Sequence, residues 1–112
     1  MNYKSMPAED ITPKQLKEKI DRKEDFTLVD VREQWEYNIC HIEGARLIPV
    51  NQIHGRVSEL DPSKETVLYC HHGSRSAFVL QKLKSLGFKK LKNLDGGIEA
   101  WADEVEQDMA RY

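Results

Sequence analysis

The segment that most constrains the fold of this chain is an apolar run that stops on a cysteine. Residues 66–69 combine β-branched, aliphatic and aromatic side chains, which is typical of a buried strand. Cys70 follows this run, and a short loop containing Gly73 leads to a helix that is predicted to begin around residues 74–76. A strand joined this closely to a helix is expected in a parallel sheet that is covered by helices.

The other segments continue this alternation of strand and helix signals. A capping-box pattern of Thr12 and Gln15, with Pro13 at the first helical position, predicts the start of a helix. A nearly continuous apolar run over residues 26–31 predicts a strand that is buried on both faces. The alternation indicates a parallel sheet covered by helices, with residues 66–70 as its central strand. Shorter strands are predicted at residues 45–49 and 91–94, and further helices at residues 33–38, 50–60, 74–86 and 98–105.

Length and composition bound the class of protein. The chain has 112 residues, of which 39% are hydrophobic and 32% charged, so we expect one globular domain over residues 1–112. Residues 1–10 are expected to form a loose arm with a short edge strand, and residues 106–112 a frayed tail. The net charge of −2 argues against a general nucleic-acid-binding protein. The sequence predicts no membrane span and no secretory signal, so we expect a cytoplasmic protein with two free cysteines.

Three features around Cys70 are suited to holding a negative charge. The N–H groups of the loop can converge on one spot, the start of the following helix adds partial positive charge, and Arg75 adds a full one. A cysteine in this position is expected to be an anionic nucleophile, or to hold an additional anionic atom. The alternative for Cys70 is an unreactive side chain that packs as a small hydrophobic residue.

The loop after Cys70 supplies the other candidate site residues. Gly73 is expected to adopt a backbone conformation that other residues resist. Ser74 either donates its hydroxyl to a bound anion or caps the helix. Arg75 lies in the first helical turn, where a cation opposes the helix dipole, and anion recognition explains its presence. Ser76 is interpreted as a helix-start residue rather than a catalytic one.

A second group of polar residues follows the strand predicted at residues 26–31. The carboxyl ends of parallel strands meet at one edge of a sheet, so Arg32 and Glu33 border Cys70 if the two strands are neighbours. The alternative for Arg32 is an ion pair with a carboxylate. Asp30 is expected to hold local structure rather than to take part in chemistry.

Histidines and a second cysteine raise the question of a metal site. His71 and His72 are adjacent in the loop, so their side chains are expected to point apart and not to share a metal. A zinc site that combines Cys40 and His41 with Cys70 and His71 fits no common short zinc motif. We therefore expect no metal, and we expect the two loop histidines to line an anion pocket or to face solvent.

Four segments, taken in order, resemble the signatures of single-domain rhodaneses, a family of sulfurtransferases. The resemblance covers nearly the whole chain. It implies a rhodanese-like three-layer α/β/α domain with a central, mainly parallel sheet of about five strands. The segments are Asp30-Val31-Arg32-Glu33, His41-Ile42-Glu43-Gly44-Ala45 with Ile48-Pro49, Cys70-His71-His72-Gly73-Ser74-Arg75-Ser76, and Leu94-Asp95-Gly96-Gly97-Ile98 with Trp101.

The resemblance also implies a chemistry. Cys70 would carry a transferred sulfur as a persulfide, cradled by backbone N–H groups of residues 71–75, with Arg75 near the donor. The expected donor is thiosulfate or a persulfide, and the expected acceptor is cyanide, a thiol or a sulfur-accepting protein, without a metal or an organic cofactor. The substrate-binding residues predicted on this basis are His71, His72, Gly73, Ser74, Arg75 and Arg32.

Two other functions are compatible with a loop of this kind. Phosphatases and arsenate reductases on related folds also use a cysteine–arginine loop, but their loop is one residue longer than the four residues between Cys70 and Arg75. The shorter loop leaves room for a sulfur atom and crowds a tetrahedral oxyanion bonded to the thiolate. Non-catalytic interaction modules on this fold commonly lack the cysteine that this chain has.

One position departs from the family pattern. Cys40 stands where these proteins usually have glycine, directly before the His-Ile pair. If that glycine has a positive φ, Cys40 is strained by about 1 kcal/mol. The alternatives are that Cys40 simply fills the position, or that it has a redox role with Cys70, by reducing it or bridging to it.

Overall fold

The computed structural model describes residues 9–112. The arm predicted at residues 1–10 therefore lies outside the described residues, except for its last two. The chain alternates between strands and helices as expected. The strands are β1 (Asp10–Ile11), β2 (Phe26–Asp30), β3 (Arg46–Leu47), β4 (Glu65–Tyr69) and β5 (Leu91–Leu94), and the helices are α1 (Pro13–Asp21), α2 (Gln34–Ile39), α3 (Ile53–Arg56), α4 (Ser74–Ser85) and α5 (Gly97–Glu104).

The five strands form one parallel sheet in the order β1-β5-β4-β2-β3. This arrangement confirms the predicted fold class, and β4 is the central strand. Alternate residues of a strand point to opposite faces of the sheet. Val67 and Tyr69 accordingly belong to a hydrophobic cluster with Trp101 of α5, whereas Leu68 packs in a second cluster with Leu83 of α4. Helices thus cover both faces of the sheet.

The start of α1 follows the capping-box prediction. The Thr12 hydroxyl accepts a hydrogen bond from the Gln15 backbone N–H at 3.1 Å, and the Gln15 side chain accepts one from the Thr12 N–H at 2.9 Å. Pro13 is the first helical residue. Two N–H groups that a helix start leaves unpaired are satisfied in this way.

The helix predicted at residues 50–60 is divided in the structure. A 3-10 turn at Val50–Gln52 precedes α3, and another at Val57–Glu59 follows it. Gly55 lies in the middle of this segment, and glycine in a helix interior costs about 1 kcal/mol relative to alanine. The apolar pattern is kept, because Ile53 and Leu60 are both buried.

The C-terminal segment differs most from expectation. The sequence predicts a frayed tail over residues 106–112, but these residues pack against the domain. The Trp101 indole N–H donates to the Glu106 carboxylate at 2.8 Å, and Met109 packs against the cluster around Trp101. The Tyr112 hydroxyl accepts from Arg32 at 2.9 Å and donates to Glu36 at 2.7 Å. Buried polar groups need partners, and this segment supplies them.

Among residues 9–112, the helices are all too short or too polar to cross a bilayer.

Candidate functional site

The Cys70 side chain lies at the base of the loop between β4 and α4. It is 1% exposed, and its Sγ accepts hydrogen bonds from the Gly73 N–H at 3.1 Å and from the Ser76 N–H at 3.4 Å. The Ser76 hydroxyl lies at 3.4 Å from the same sulfur. The sulfur is therefore surrounded by donors from the loop and from the first turn of α4.

The neighbouring strand brings a second chain segment to this edge of the sheet. Asp30, the last residue of β2, pairs in register with Tyr69 of β4, and the Val31 N–H donates to the Tyr69 carbonyl at 3.0 Å. The two strands are therefore neighbours, which is the condition stated above for Arg32 and Glu33 to border Cys70. Arg32 and Cys70 each follow the carboxyl end of one of these strands.

The start of α5 holds the backbone of the loop from the other side. The Ile98 N–H donates to the Cys70 carbonyl at 2.9 Å, and the Glu99 N–H donates to the His71 carbonyl at 3.1 Å. Gly97 has a φ of +61°, and a Cβ atom at this position would lie 2.3 Å from the His71 carbonyl oxygen. Only glycine permits this close approach of α5 to the loop.

Gly73 adopts the conformation that the sequence predicts for it. Its φ is +118°, and it occupies the N-cap position of α4. Its carbonyl accepts from the Asn93 amide at 3.2 Å, and the Ser76 hydroxyl oxygen lies 3.2 Å from the same carbonyl oxygen. Because Gly73 is the cap residue, capping is not the role of Ser74, which is exposed at the first helical position.

Ser76 and Asn93 are site residues that the sequence analysis missed. Both are buried, and the Ser76 hydroxyl donates to the Asn93 side-chain oxygen at 2.5 Å. Ser76 was interpreted only as a helix-start residue. A signal for this pair exists in the sequence, because Asn93 is a polar residue in a short strand with buried leucines at both ends.

The Ser76–Asn93 pair leads to a stability prediction. Ser76→Ala is expected to lower the free energy of unfolding by about 1 to 2 kcal/mol, because it leaves the buried Asn93 oxygen without this donor. Urea denaturation followed by circular dichroism measures this change. Ser85→Ala removes an exposed hydroxyl that donates to the Lys82 carbonyl of the same helix, and it is expected to cost less than about 0.5 kcal/mol. Equal losses in both variants would contradict the role given to the pair.

Arg75 is paired with a carboxylate that the sequence analysis also missed. Its two terminal nitrogens donate to Glu36 at 2.8 and 3.0 Å. The Glu36 side chain is 4% exposed, whereas the Arg75 side chain is 38% exposed. Glu36 also accepts from the Glu33 N–H at 2.9 Å and from the Tyr112 hydroxyl at 2.7 Å.

These contacts decide the charge of Glu36. Burial by itself would raise the pKa of this carboxyl, but hydrogen bonds from Arg75, the Glu33 N–H and Tyr112 outweigh burial. Together they lower the pKa of Glu36 from 4.5 to about 2. Glu36 is therefore negatively charged at neutral pH, and Arg75 and Glu36 form a compensated ion pair.

The lowered pKa of Glu36 implies a specific acid sensitivity. Folded protein binds this proton less tightly than unfolded protein, so the contribution is complete above pH 4.5 and is lost as the pH falls towards about 2. Between pH 7 and pH 3 we expect Glu36 to account for a loss of about 2 kcal/mol in the free energy of unfolding. Urea titrations at both pH values measure it. Glu36→Gln is expected to show a smaller difference between the two pH values, and an identical difference would contradict this assignment.

Arg32 corrects a sequence prediction. The resemblance to rhodaneses implies that Arg32 binds substrate, but its side chain is fully buried. Its Nε and Nη2 atoms donate to the Asp30 carboxylate at 2.9 and 2.6 Å. Nη2 also donates to the Cys40 carbonyl. Nη1 donates to the Tyr112 hydroxyl and to the Glu36 carbonyl. All of its N–H groups are thus used inside the described part of the chain. Arg32 has the structural role that was its alternative, as the partner of Asp30.

The two loop histidines lie together instead of pointing apart. The His71 and His72 rings stack with centroids 4.1 Å apart, and Tyr112 also stacks on His71 at 4.1 Å. The His71 Nε2 lies 3.0 Å from the Glu99 carboxylate, so this ring is held at the rim of the loop. Within residues 9–112, no group of three His, Cys, Asp or Glu side chains is arranged to hold a metal ion.

Cys40 is not strained. Its φ is −162°, which is extended backbone, and its carbonyl accepts from Arg32 at 2.7 Å. The strain hypothesis is therefore wrong. Both cysteines are free thiols. Cys40 packs against the cluster around Trp101, whereas Cys70 belongs to the cluster with Leu83, so the two side chains lie in different parts of the core.

Comparison with known families adds an independent finding. The family model described as "Rhodanese-like domain" matches residues 12–104. A solved structure with this architecture, the rhodanese-like domain protein from Staphylococcus aureus, has a TM-score of 0.80 and 32% sequence identity. That similarity covers 87% of this chain and 94% of the other.

Several relatives carry names that refer to sulfur transfer. A probable adenylyltransferase/sulfurtransferase of Mycobacterium tuberculosis, MoeZ, is 40% identical over 91% of this chain, which spans only 26% of the relative. The putative sulfurtransferase YtwF of Bacillus subtilis is 38% identical over 90% of this chain and 97% of its own length. The thiosulfate sulfurtransferase GlpE of Coxiella burnetii is 35% identical over 71% of this chain and 75% of its own length.

Proposed function

The chain belongs to the family of rhodanese-like domains, and from this premise we propose that it transfers a sulfane sulfur through a persulfide on Cys70. The observation that carries the proposal is the position of Sγ, which accepts N–H groups from Gly73 and Ser76 at the start of α4. Relatives named sulfurtransferases, including one named for thiosulfate, support the reaction class. Thiosulfate or a persulfide is the donor in this proposal.

In the first step the Cys70 thiolate attacks the outer sulfur of the donor. A new bond forms between Sγ and that sulfur while the donor's S–S bond breaks. The leaving group departs with the bonding electron pair, as sulfite from thiosulfate or as a thiolate from a persulfide. The outer sulfur stays on Cys70 and carries the negative charge.

In the second step a nucleophilic acceptor removes the outer sulfur. Cyanide or a thiol attacks it, the Sγ–S bond breaks, and the Cys70 thiolate returns. Backbone N–H groups and the N-terminus of α4 stabilise the anion in both states. This chain's own residues perform the exchange, and the scheme requires no cofactor. The thiol of a sulfur-accepting protein is a further acceptor in this proposal.

The size of the loop favours sulfur over phosphate. Four residues separate Cys70 from Arg75, and the buried Sγ already has two N–H groups directed at it. A single additional sulfur atom needs less space than a tetrahedral oxyanion bonded to the same thiolate. A reducing compartment such as the cytoplasm suits this chemistry, because it keeps Cys70 as a thiol and supplies thiol acceptors.

Intact mass spectrometry tests the proposed function. Incubation with thiosulfate or with inorganic polysulfide is expected to add one sulfur atom, about 32 Da, to the protein. Cyanide is expected to remove this mass and to release thiocyanate in equal amount. Protein that gains no sulfur from either donor, or that hydrolyses an aryl phosphate instead, would contradict the proposal.

A further inference from the structure

The cation expected to meet an anionic donor already has a partner in this structure. Arg75 contacts Glu36 through two parallel hydrogen bonds of 2.8 and 3.0 Å. This two-point geometry is the strongest arrangement that an arginine and a carboxylate form. The Glu36 side chain is 4% exposed and the Arg75 side chain 38% exposed, so water reaches this pair mainly from the side of the arginine.

Glu36 is also fixed in place from the protein side. Its carboxylate accepts from the Glu33 N–H, which closes the capping box at the start of α2. The Tyr112 hydroxyl donates to it, and that hydroxyl in turn accepts from the buried Arg32. The Glu33 N–H and the Tyr112 hydroxyl therefore hold the carboxylate beside Arg75, so the charge of Arg75 is compensated before any donor arrives.

Compensation of Arg75 by Glu36 affects donors according to their charge, because it reduces the attraction of a dianion more than that of a donor with at most one charge. Thiosulfate is a dianion, and it meets a pair with no net charge, in which the Glu36 carboxylate offsets the attraction of Arg75. A persulfide on a thiol carries at most one charge on the reacting sulfurs. It needs the N–H groups around Cys70 and a thiolate leaving group, but no free guanidinium.

We propose that Glu36 sets the donor specificity of the Cys70 site, by compensating Arg75 and so disfavouring dianionic donors relative to persulfide sulfur carried by a thiol. This inference rests on the function proposed above. The reaction it favours is balanced: the Cys70 thiolate and a persulfide R–S–SH give the Cys70 persulfide and the thiolate R–S⁻. One S–S bond breaks and one forms, and the terminal proton stays on the transferred sulfur.

Glu36→Gln tests the proposal, because glutamine keeps the acceptor for the Glu33 N–H and removes the charge. The rates of Cys70 loading by thiosulfate and by the persulfide of N-acetylcysteamine are measured from the gain in intact mass. The rate constant for thiosulfate is expected to rise about tenfold, because a dianion gains most from an unmasked guanidinium. The rate constant for the persulfide is expected to stay within about twofold.

Two control variants separate this effect from a general change in charge. Glu33→Gln removes an equal charge from an exposed position at the start of the same helix. It is expected to change the ratio of the two rate constants by less than about 1.5-fold, because water screens that carboxylate. The double variant with Arg75→Ala and Glu36→Gln is expected to lose the thiosulfate gain that Glu36→Gln shows over the unmodified protein, because removal of both charges leaves no net charge, as in the intact pair.

Other outcomes would overturn the inference. One such outcome is that Glu36→Gln changes the rate constants for both donors equally, or changes neither. Another is that the double variant, which lacks Arg75, still loads thiosulfate faster than the unmodified protein. The unmodified protein provides a readout that needs no variant: its thiosulfate rate constant is expected to vary less than about twofold between 20 and 200 mM KCl, and a steep fall would reveal an uncompensated cation. If neither donor loads Cys70, the proposed function itself fails, which is a distinct result from loading with unchanged donor preference.

Discussion

Replacement of Cys70 by serine is expected to abolish sulfur transfer and the gain in mass that accompanies it. A serine hydroxyl is not ionised near neutral pH and is a poor nucleophile towards sulfur, so the rate is expected to fall by at least about a thousandfold. Serine is close to cysteine in size, and its oxygen can accept the Gly73 N–H that Sγ accepts at 3.1 Å. The variant is therefore expected to remain folded. Thiocyanate production from thiosulfate and cyanide measures the loss.

Cys40→Ser is the matched control for this experiment. Cys40 is a free thiol of the same chain, and it packs in a different cluster from Cys70. It is expected to keep the activity and the mass gain of the unmodified protein. A Cys70→Ser protein that still produced thiocyanate, or a Cys40→Ser protein that had lost this activity, would show that the wrong thiol has been assigned.

Gly97→Ala is expected to cause the largest loss of stability of the substitutions considered. The new Cβ atom would lie 2.3 Å from the His71 carbonyl oxygen and 2.6 Å from the Cys70 carbonyl oxygen, at a φ of +61°. Backbone strain and this clash together are expected to cost about 4 kcal/mol. Because the collision pushes α5 away from the loop, sulfur transfer is expected to fall by about a hundredfold.

Gly87→Ala separates strain from collision. Gly87 follows α4 and has a φ of +99°, but a Cβ atom there would meet no atom within 4 Å. It is expected to cost about 1 kcal/mol of stability and to leave sulfur transfer unchanged. Urea denaturation and the thiocyanate assay on both variants measure these differences. Similar losses of stability and of sulfur transfer in the two variants would show that neither property depends on the close approach of α5 to the loop.

Local patterns in the sequence were sufficient to predict the part of the fold that carries Cys70. The apolar run before it predicts β4, Gly73 predicts a turn with an unusual backbone conformation, and the segment after this turn is predicted to form the helix that is α4. Each of these signals acts over a few residues, and the structure confirms all three. Alternation of strands and helices along the whole chain then favours a parallel sheet.

The partners of polar side chains were not predictable in the same way. Arg32 follows a strand end in the sequence, which suits both an exposed substrate contact and a buried ion pair with Asp30. Only tertiary packing decides between them. Glu36 and Arg75 are likewise far apart in the chain, and their pairing depends on how α2 lies against the loop. Tyr112 gave no local signal, because its hydrogen-bond partners belong to other elements.

The backbone contacts from α5 to the loop also bear on the order in which the protein becomes active during synthesis. The carbonyls of Cys70 and His71 accept hydrogen bonds from the N–H groups of Ile98 and Glu99. Ile98 and Glu99 follow β5 in the sequence, so they are synthesised after it. A nascent chain that ends after α4 contains the thiol but lacks the donors that hold its loop. We therefore expect the reactive sulfur chemistry to begin only when the last helix has docked.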